Sequence, residues 1–114
     1  KMNTQISKGI FDLVILLMLS NKEMYGYEIT KQLRHIDALN IADGSIYPIL
    51  QRLKAKGLIK TTRKIYEGRV RIYYYCSKEG KKFAQEQYEL LTELYKFIES
   101  IKKEDADEHN KLYR

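Results

Sequence analysis

From Ala84 to Ile101 the chain carries a largely apolar seam, Ala84, Gln87, Leu91, Leu94, Ile98 and Ile101, at alternating spacings of three and four residues. That is the a/d period of a coiled coil, kept up for more than two heptads, and it constrains the fold more than any other feature. Tyr88 and Tyr95 widen the seam on one side, Leu90 and Phe97 on the other. A helix that apolar does not project alone into water. With 114 residues, 44% hydrophobic and 32% charged, the chain makes one small domain with a modest core. Little of that core is left to receive the whole helix, so a second copy across a two-fold axis is the expected partner. Leu91, Leu94, Ile98 and Ile101 are the expected dimerisation residues.

Composition excludes several classes. The longest wholly apolar run, Leu13 to Leu19, falls well short of the ~18 residues a membrane span requires, and the N-terminal residues lack a signal peptide's layout. Cys76 is the only cysteine and there are two histidines, so neither an internal disulfide nor a metal site or other cofactor is expected, and a reducing cytoplasm is the expected setting. No acid–base pair, nucleophile with a nearby base or phosphate loop points to an enzyme.

The stretch "DGSIYPILQRLKAKGLI", Asp43 to Ile59, sets a proline inside a helical pattern. Ile46, Leu50 and Leu53 recur on one face of a 3.6-residue period, Ile49 widens the stripe, and Gly57 is placed for a left-handed cap. With Ser45 or Gly44 as N-cap, Pro48 falls in or beside the first turn, where its missing N–H does no harm. Two helices are expected before this one, over Ser7–Ser20 and Met24–Ile36, with "DALNIAD" as a connection. The first is apolar on nearly every side; the second turns Ile29 and Leu33 inward, Lys31 and Arg34 outward.

Strands follow over Leu58–Lys64 and Val70–Cys76, joined at "YEGR". In the second strand Val70, Ile72, Tyr74 and Cys76 share one face, expected to be core, and Arg69, Arg71, Tyr73 and Tyr75 share the other. Ser77 should then cap a final helix of about 25 residues. The window from Arg52 to Arg71 holds eight basic residues against one acidic, whereas Lys81 to Arg114 holds seven against eight. A basic block on one piece of a folded domain is the footprint expected for nucleic acid, although a solvated lysine-rich face is the commoner meaning of a single charge run.

Three helices, a two-stranded basic hairpin and a long last helix make a mainly α fold, the winged helix-turn-helix plan with an added dimerisation helix. The expected division is residues 1–76 as the winged domain, 77–104 as the dimerisation helix and 105–114 as a polar tail. The sequence also resembles the PadR-type transcriptional regulators of the small subclass with one C-terminal helix. The resemblance runs from about Gly9 to Gly80 and rests on "GYEI" at Gly26 to Ile29, "GSIYPILQRLKAKGLI" at Gly44 to Ile59 and "GRVRIYYYCSKEGKK" at Gly68 to Lys82. Where the family often has proline after the wing Gly-Arg and a leucine or isoleucine before the Ser/Thr cap, this chain has Val70 and Cys76. The resemblance implies a DNA-binding repressor that acts as a homodimer and is relieved by an effector. A small aromatic or hydrophobic effector would involve Phe11, Ile15, Tyr88, Tyr95 and Phe97, for each of which plain packing in the dimer core is the commoner role. There is no tryptophan to build a stacking pocket on.

The residue chemistry is consistent with duplex DNA as partner. At 100° per residue with Ile46 inward, the positions pointing most directly away from the core are Gly44, Pro48, Gln51 and Ala55. Three are short, which lets the backbone approach the floor of a major groove. Gln51 is the one central side chain that reaches a base edge, with adenine its geometric match. Ser45, Tyr47, Arg52 and Lys54 flank this ridge, where phosphates would lie. Arg69 and Arg71, at and just behind the hairpin tip, suit a narrow minor groove. Tyr73 extends their face, with cross-strand packing on a residue such as Thr61 an equal alternative. Phosphate contact through Tyr25 or Tyr27 is a weaker reading in a chain with ten tyrosines. A winged-helix protein–protein adaptor without specific DNA binding is the alternative, against which the basic window argues.

Overall fold

The computed structural model describes residues 4–36 and 44–112. The elements run α1 (Thr4–Asn21), β1 (Met24–Tyr25), α2 (Gly26–Arg34), α3 (Ile46–Ala55), β2 (Ile59–Tyr66), β3 (Arg69–Cys76) and α4 (Lys78–Leu112). The expected connection over Asp37–Asp43 lies outside the described residues. The chain divides into two compact units, residues 1–84 and residues 85–114.

In the first unit, α1 and α2 with α3 close a core over the sheet. Ile15 and Leu16, Ile29 and Leu33, and Ile46, Leu50 and Leu53 are almost wholly enclosed, and Ile59, Tyr74 and Cys76 meet them from the strands. Each such aliphatic side chain stabilises the fold by about 1.5–3 kcal/mol relative to exposure. α1 is buried more completely than its all-round apolar pattern required. Among its apolar side chains from Ile10 onward only Leu17 is exposed, because Ile10, Phe11, Val14 and Met18 pack partly against the same core.

The cap of α3 explains its glycine. Gly57 takes a left-handed φ of 75°, its N–H donates to Lys54 C=O at 2.9 Å, and Leu58 N–H reaches back to Leu53 C=O at 3.0 Å. This is a Schellman motif, which satisfies carbonyls the helix end would leave bare. Pro48 sits third in the helix, in the first turn, as its missing donor requires. Ser45 precedes the helix without making a side-chain cap bond.

β2 and β3 pair antiparallel with Tyr66 opposite Arg69, so the turn is only Glu67-Gly68. Both have positive φ, 49° and 78°, the backbone of a two-residue type I′ hairpin. β1 adds a third, two-residue strand, with Met24 opposite Tyr74 and Tyr25 opposite Tyr73. The second helix therefore begins at Gly26, two residues later than expected, because Met24 and Tyr25 are drawn into the sheet.

Two further expectations are corrected. Tyr74 and Cys76 do face the core, but Val70 (58% exposed) and Ile72 (39%) do not share it. Strand alternation assigns residues to a face, and here the hairpin outruns the core that covers only its base. The last helix is 35 residues long and continues through the expected polar tail as far as Leu112. Polar residues at 102–112 suit a solvated helix as well as a tail. Ser77 caps this helix as expected: its Oγ accepts from Gly80 N–H at 2.9 Å and donates to Gly57 C=O at 2.6 Å, while its own N–H donates to Leu58 C=O at 3.0 Å. At Gly80 a Cβ would overlap the Leu58 carbonyl oxygen and lie 2.8 Å from Cys76 Sγ, so only glycine admits this approach.

The second unit is helix alone. Leu91, Leu94, Ile98 and Ile101 are all exposed, as are Tyr88, Leu90, Tyr95 and Phe97.

Candidate nucleic-acid interface

The outward ridge of α3 is as the helical period places it: Gly44, Pro48, Gln51 and Ala55 are all exposed. Ser45, Tyr47 and Lys54 are exposed beside it. Arg52 is different. It is half-buried and ion-paired with Asp12 of α1, which ties α3 to α1 and neutralises its charge within the protein. At a phosphate, its expected role, the same guanidinium would serve both partners.

On the wing the two arginines also part company. Arg69 is exposed at the tip. Arg71 lies between two rings, its guanidinium carbon 4.3 Å from the centroid of Tyr25 and 4.1 Å from that of Tyr66. Such cation–π contacts restrict where the guanidinium can sit. A hydrogen bond with the Tyr73 side chain further holds its proton. Arg71 is thus a fixed charge just behind the wing tip, whereas Arg69 at the tip has no ion-pair partner among the described residues. Tyr73 pairs across the sheet with Thr62, not Thr61, and meets Tyr25 edge-on at 5.6 Å, with Lys64 Nζ 5.0 Å from its ring centroid. Lys64 itself is ion-paired with Glu23.

Four tyrosines unite these elements. Tyr47 of α3 lies flat on the start of α2, where a Cβ at Gly26 would come 2.9 Å from its hydroxyl. Glu28 turns back to accept from Tyr25 N–H at 3.2 Å, which closes the first turn of α2. A hollow of about 250 Å³ opens between α2, α3 and β3, lined by Tyr25, Gly26, Tyr27, Tyr47, Arg71, Ile72 and Tyr74. Gly26 and Tyr74 had no place among the expected site residues. The only sequence sign was the recurrence of tyrosine near glycine in "MYGYEI", which ten tyrosines in the chain dilute.

The residues expected around an effector are divided between the units. Ile15 is 0% exposed, enclosed by the protomer's own core, so it is not available to a ligand; helical spacing could not tell this from an exposed stripe on α1. Phe11 packs partly against the core. Tyr88, Tyr95 and Phe97 are exposed on α4, and a hydrogen bond from Tyr95 to Glu99, one turn on, raises the phenol's pKa. Among the described residues no helix is long and apolar enough to cross a membrane.

Comparison with known proteins places this arrangement among regulators. The model of the Transcriptional regulator PadR-like family matches residues 15–86. A crystal structure of a Streptococcus transcriptional regulator is 32% identical, covers 88% of this chain and 99% of its own, and superposes with a TM-score of 0.79. A PadR-like transcriptional regulator from Bacillus cereus is 30% identical over 86% of this chain and 96% of its own, with a TM-score of 0.76. A transcriptional regulator of Mycobacterium tuberculosis is 32% identical over 91 residues, 79% of this chain and 83% of that protein.

Proposed function

Since the chain belongs to the PadR-like family of transcriptional regulators, we propose that it binds a pseudo-palindromic operator as a homodimer and represses transcription there. The observation that carries this reading is the exposed ridge of α3, in which Gln51 alone is long, beside a wing that ends in the exposed Arg69. A ridge of glycine, proline and alanine lets the helix backbone approach the major-groove floor, and Gln51 then meets a base edge. Ser45, Tyr47 and Lys54 would position the helix on phosphates, and Arg69 would reach the flanking minor groove. The exposed seam of α4 favours pairing through Leu91, Leu94, Ile98 and Ile101. The two recognition helices of a dimer would then read half-sites roughly 34–36 Å apart or a multiple of it. Relief by a small aromatic or hydrophobic effector is the regulation the family implies, and Tyr88, Tyr95 and Phe97 are the exposed aromatic groups of α4 it would use. The cytoplasm is the setting such a role requires.

A gel shift on the DNA upstream of the protein's own gene, at two salt concentrations, tests this. Binding should weaken steeply with salt. Gln51→Ala should cost roughly 1–3 kcal/mol on the preferred site and leave random duplex nearly unaffected. Absence of binding at low salt would favour the adaptor reading.

A further inference from the structure

The hollow between α2, α3 and β3 contains a group that the fold does not use. Tyr74 is only 7% exposed, yet among the described residues its hydroxyl has no hydrogen-bond partner. That oxygen is not sealed away, since no buried side-chain oxygen or nitrogen in the described residues lacks a partner, and the hollow is the opening Tyr74 lines. Solvent reaches that oxygen through the hollow, so the protein leaves its donor to whatever enters there. Burial raises its pKa, so the hydroxyl keeps its proton at physiological pH.

The surroundings say what the donor is for. The hollow is bounded by the N-terminus of α2, whose first N–H groups have no intrahelical acceptors and whose dipole favours negative charge. Tyr47 adds a second hydroxyl and Arg71 a cation already immobilised between two rings. Among the described residues no carboxylate lines the space, and Glu28, the acid in the first turn of α2, is occupied with Tyr25 N–H. Among the described lining residues, donors and a positive charge converge without a negative charge, which is the chemistry of an oxyanion site. Its position adds the source. One wall is the first turn of α3 and another is β3, so a DNA strand bordering the groove that α3 enters would cross it.

We propose that this hollow receives one DNA backbone phosphate per protomer, held by Tyr74, Tyr47 and the amino end of α2, with Arg71 as the fixed counter-charge. The assignment rests on the DNA-binding reading above and goes beyond it in naming a contact at the base of the wing, away from both the α3 ridge and the wing tip. It is independent of base sequence.

Fluorescence anisotropy with a random-sequence duplex tests it through Tyr74→Phe, which removes only the unpartnered oxygen. Affinity should fall about tenfold, the worth of one hydrogen bond to a charged group at the lower end of its range. The thermal midpoint should not change, because no partner within the protein is lost. The salt slope should also stay the same, because no cation is removed. Tyr47→Phe, at an exposed position, should act in the same direction and decides the matter if Tyr74→Phe destabilises the fold. Affinities of both variants within twofold of wild type would overturn the proposal while leaving DNA binding intact. Titration with inorganic phosphate separates the sources: if Tyr74→Phe abolishes phosphate binding but not duplex affinity, the hollow takes a free anion and the DNA assignment falls. A wild type that binds no duplex overturns both readings.

Discussion

The two compact units satisfy their apolar residues in opposite ways. In residues 1–84 every helix finds an internal partner, and the side chains of α1, α2 and α3 that carry the helical period are enclosed. In residues 85–114 the same kind of period is written as clearly, yet Leu94 is 50% exposed, Ile98 53% and Phe97 63%. Periodicity states that a face wants covering; the rest of the chain decides whether the cover is internal. The first unit has stability of its own. A homodimer formed through that face, as proposed above, would tie the stability of the second to concentration, since a subunit that binds only the folded state stabilises it by mass action.

The contrast is tested most severely in the seam. Leu94→Asp or Ile98→Asp removes an apolar contact and sets a charge where pairing would bury it, at a cost of roughly 5 kcal/mol of association free energy or more. Sedimentation at micromolar concentration should show a dimeric wild type and a monomeric variant, and a monomeric wild type would break the comparison. Within the first unit, Gly80→Ala forces a methyl group against the Leu58 carbonyl and Cys76 Sγ. It should cost about 3 kcal/mol, read in urea as a lowered midpoint with unchanged slope. Arg69→Ala sharpens the comparison from the other end. As an exposed wing-tip change it should alter stability by less than about 0.5 kcal/mol, while weakening all duplexes and lowering the salt slope by about one. An unchanged affinity and slope would remove the wing tip from the DNA surface.

What was legible in the sequence was local. Pro48 in the first turn of α3, Gly57 at its cap, the Glu67-Gly68 turn and the Ser77 cap each follow from the conformational needs of one or two residues. What was not legible depends on partners distant in sequence. Alternation put Arg69 and Arg71 on one face and could not foresee that Tyr25, 46 residues before Arg71, would flank its guanidinium. Val70 and Cys76 share a face by the same rule, and only the reach of the core separates their burial. A two-residue strand such as Met24–Tyr25 is too short to have a period at all. Gly26 and Tyr47 belong to separate motifs whose contact becomes visible only when α2 and α3 are set side by side.

The Ser77 hydroxyl has a kinetic side. Its bond to Gly57 closes a loop of only 20 residues that holds both long strands, between the cap of α3 and the start of α4. Loops that short close at little entropic cost, and chains rich in such near contacts fold fast. The pairing of β1 with β3 spans about 50 residues by comparison and has more chain to order before it is rewarded. The hairpin and its two flanking helix ends are therefore expected to form the nucleus, with α1 and β1 docking afterwards. In a φ-value measurement, loss of the Ser77 hydroxyl should slow folding more than it speeds unfolding. The part of the chain that would meet DNA is then also the part that organises itself first.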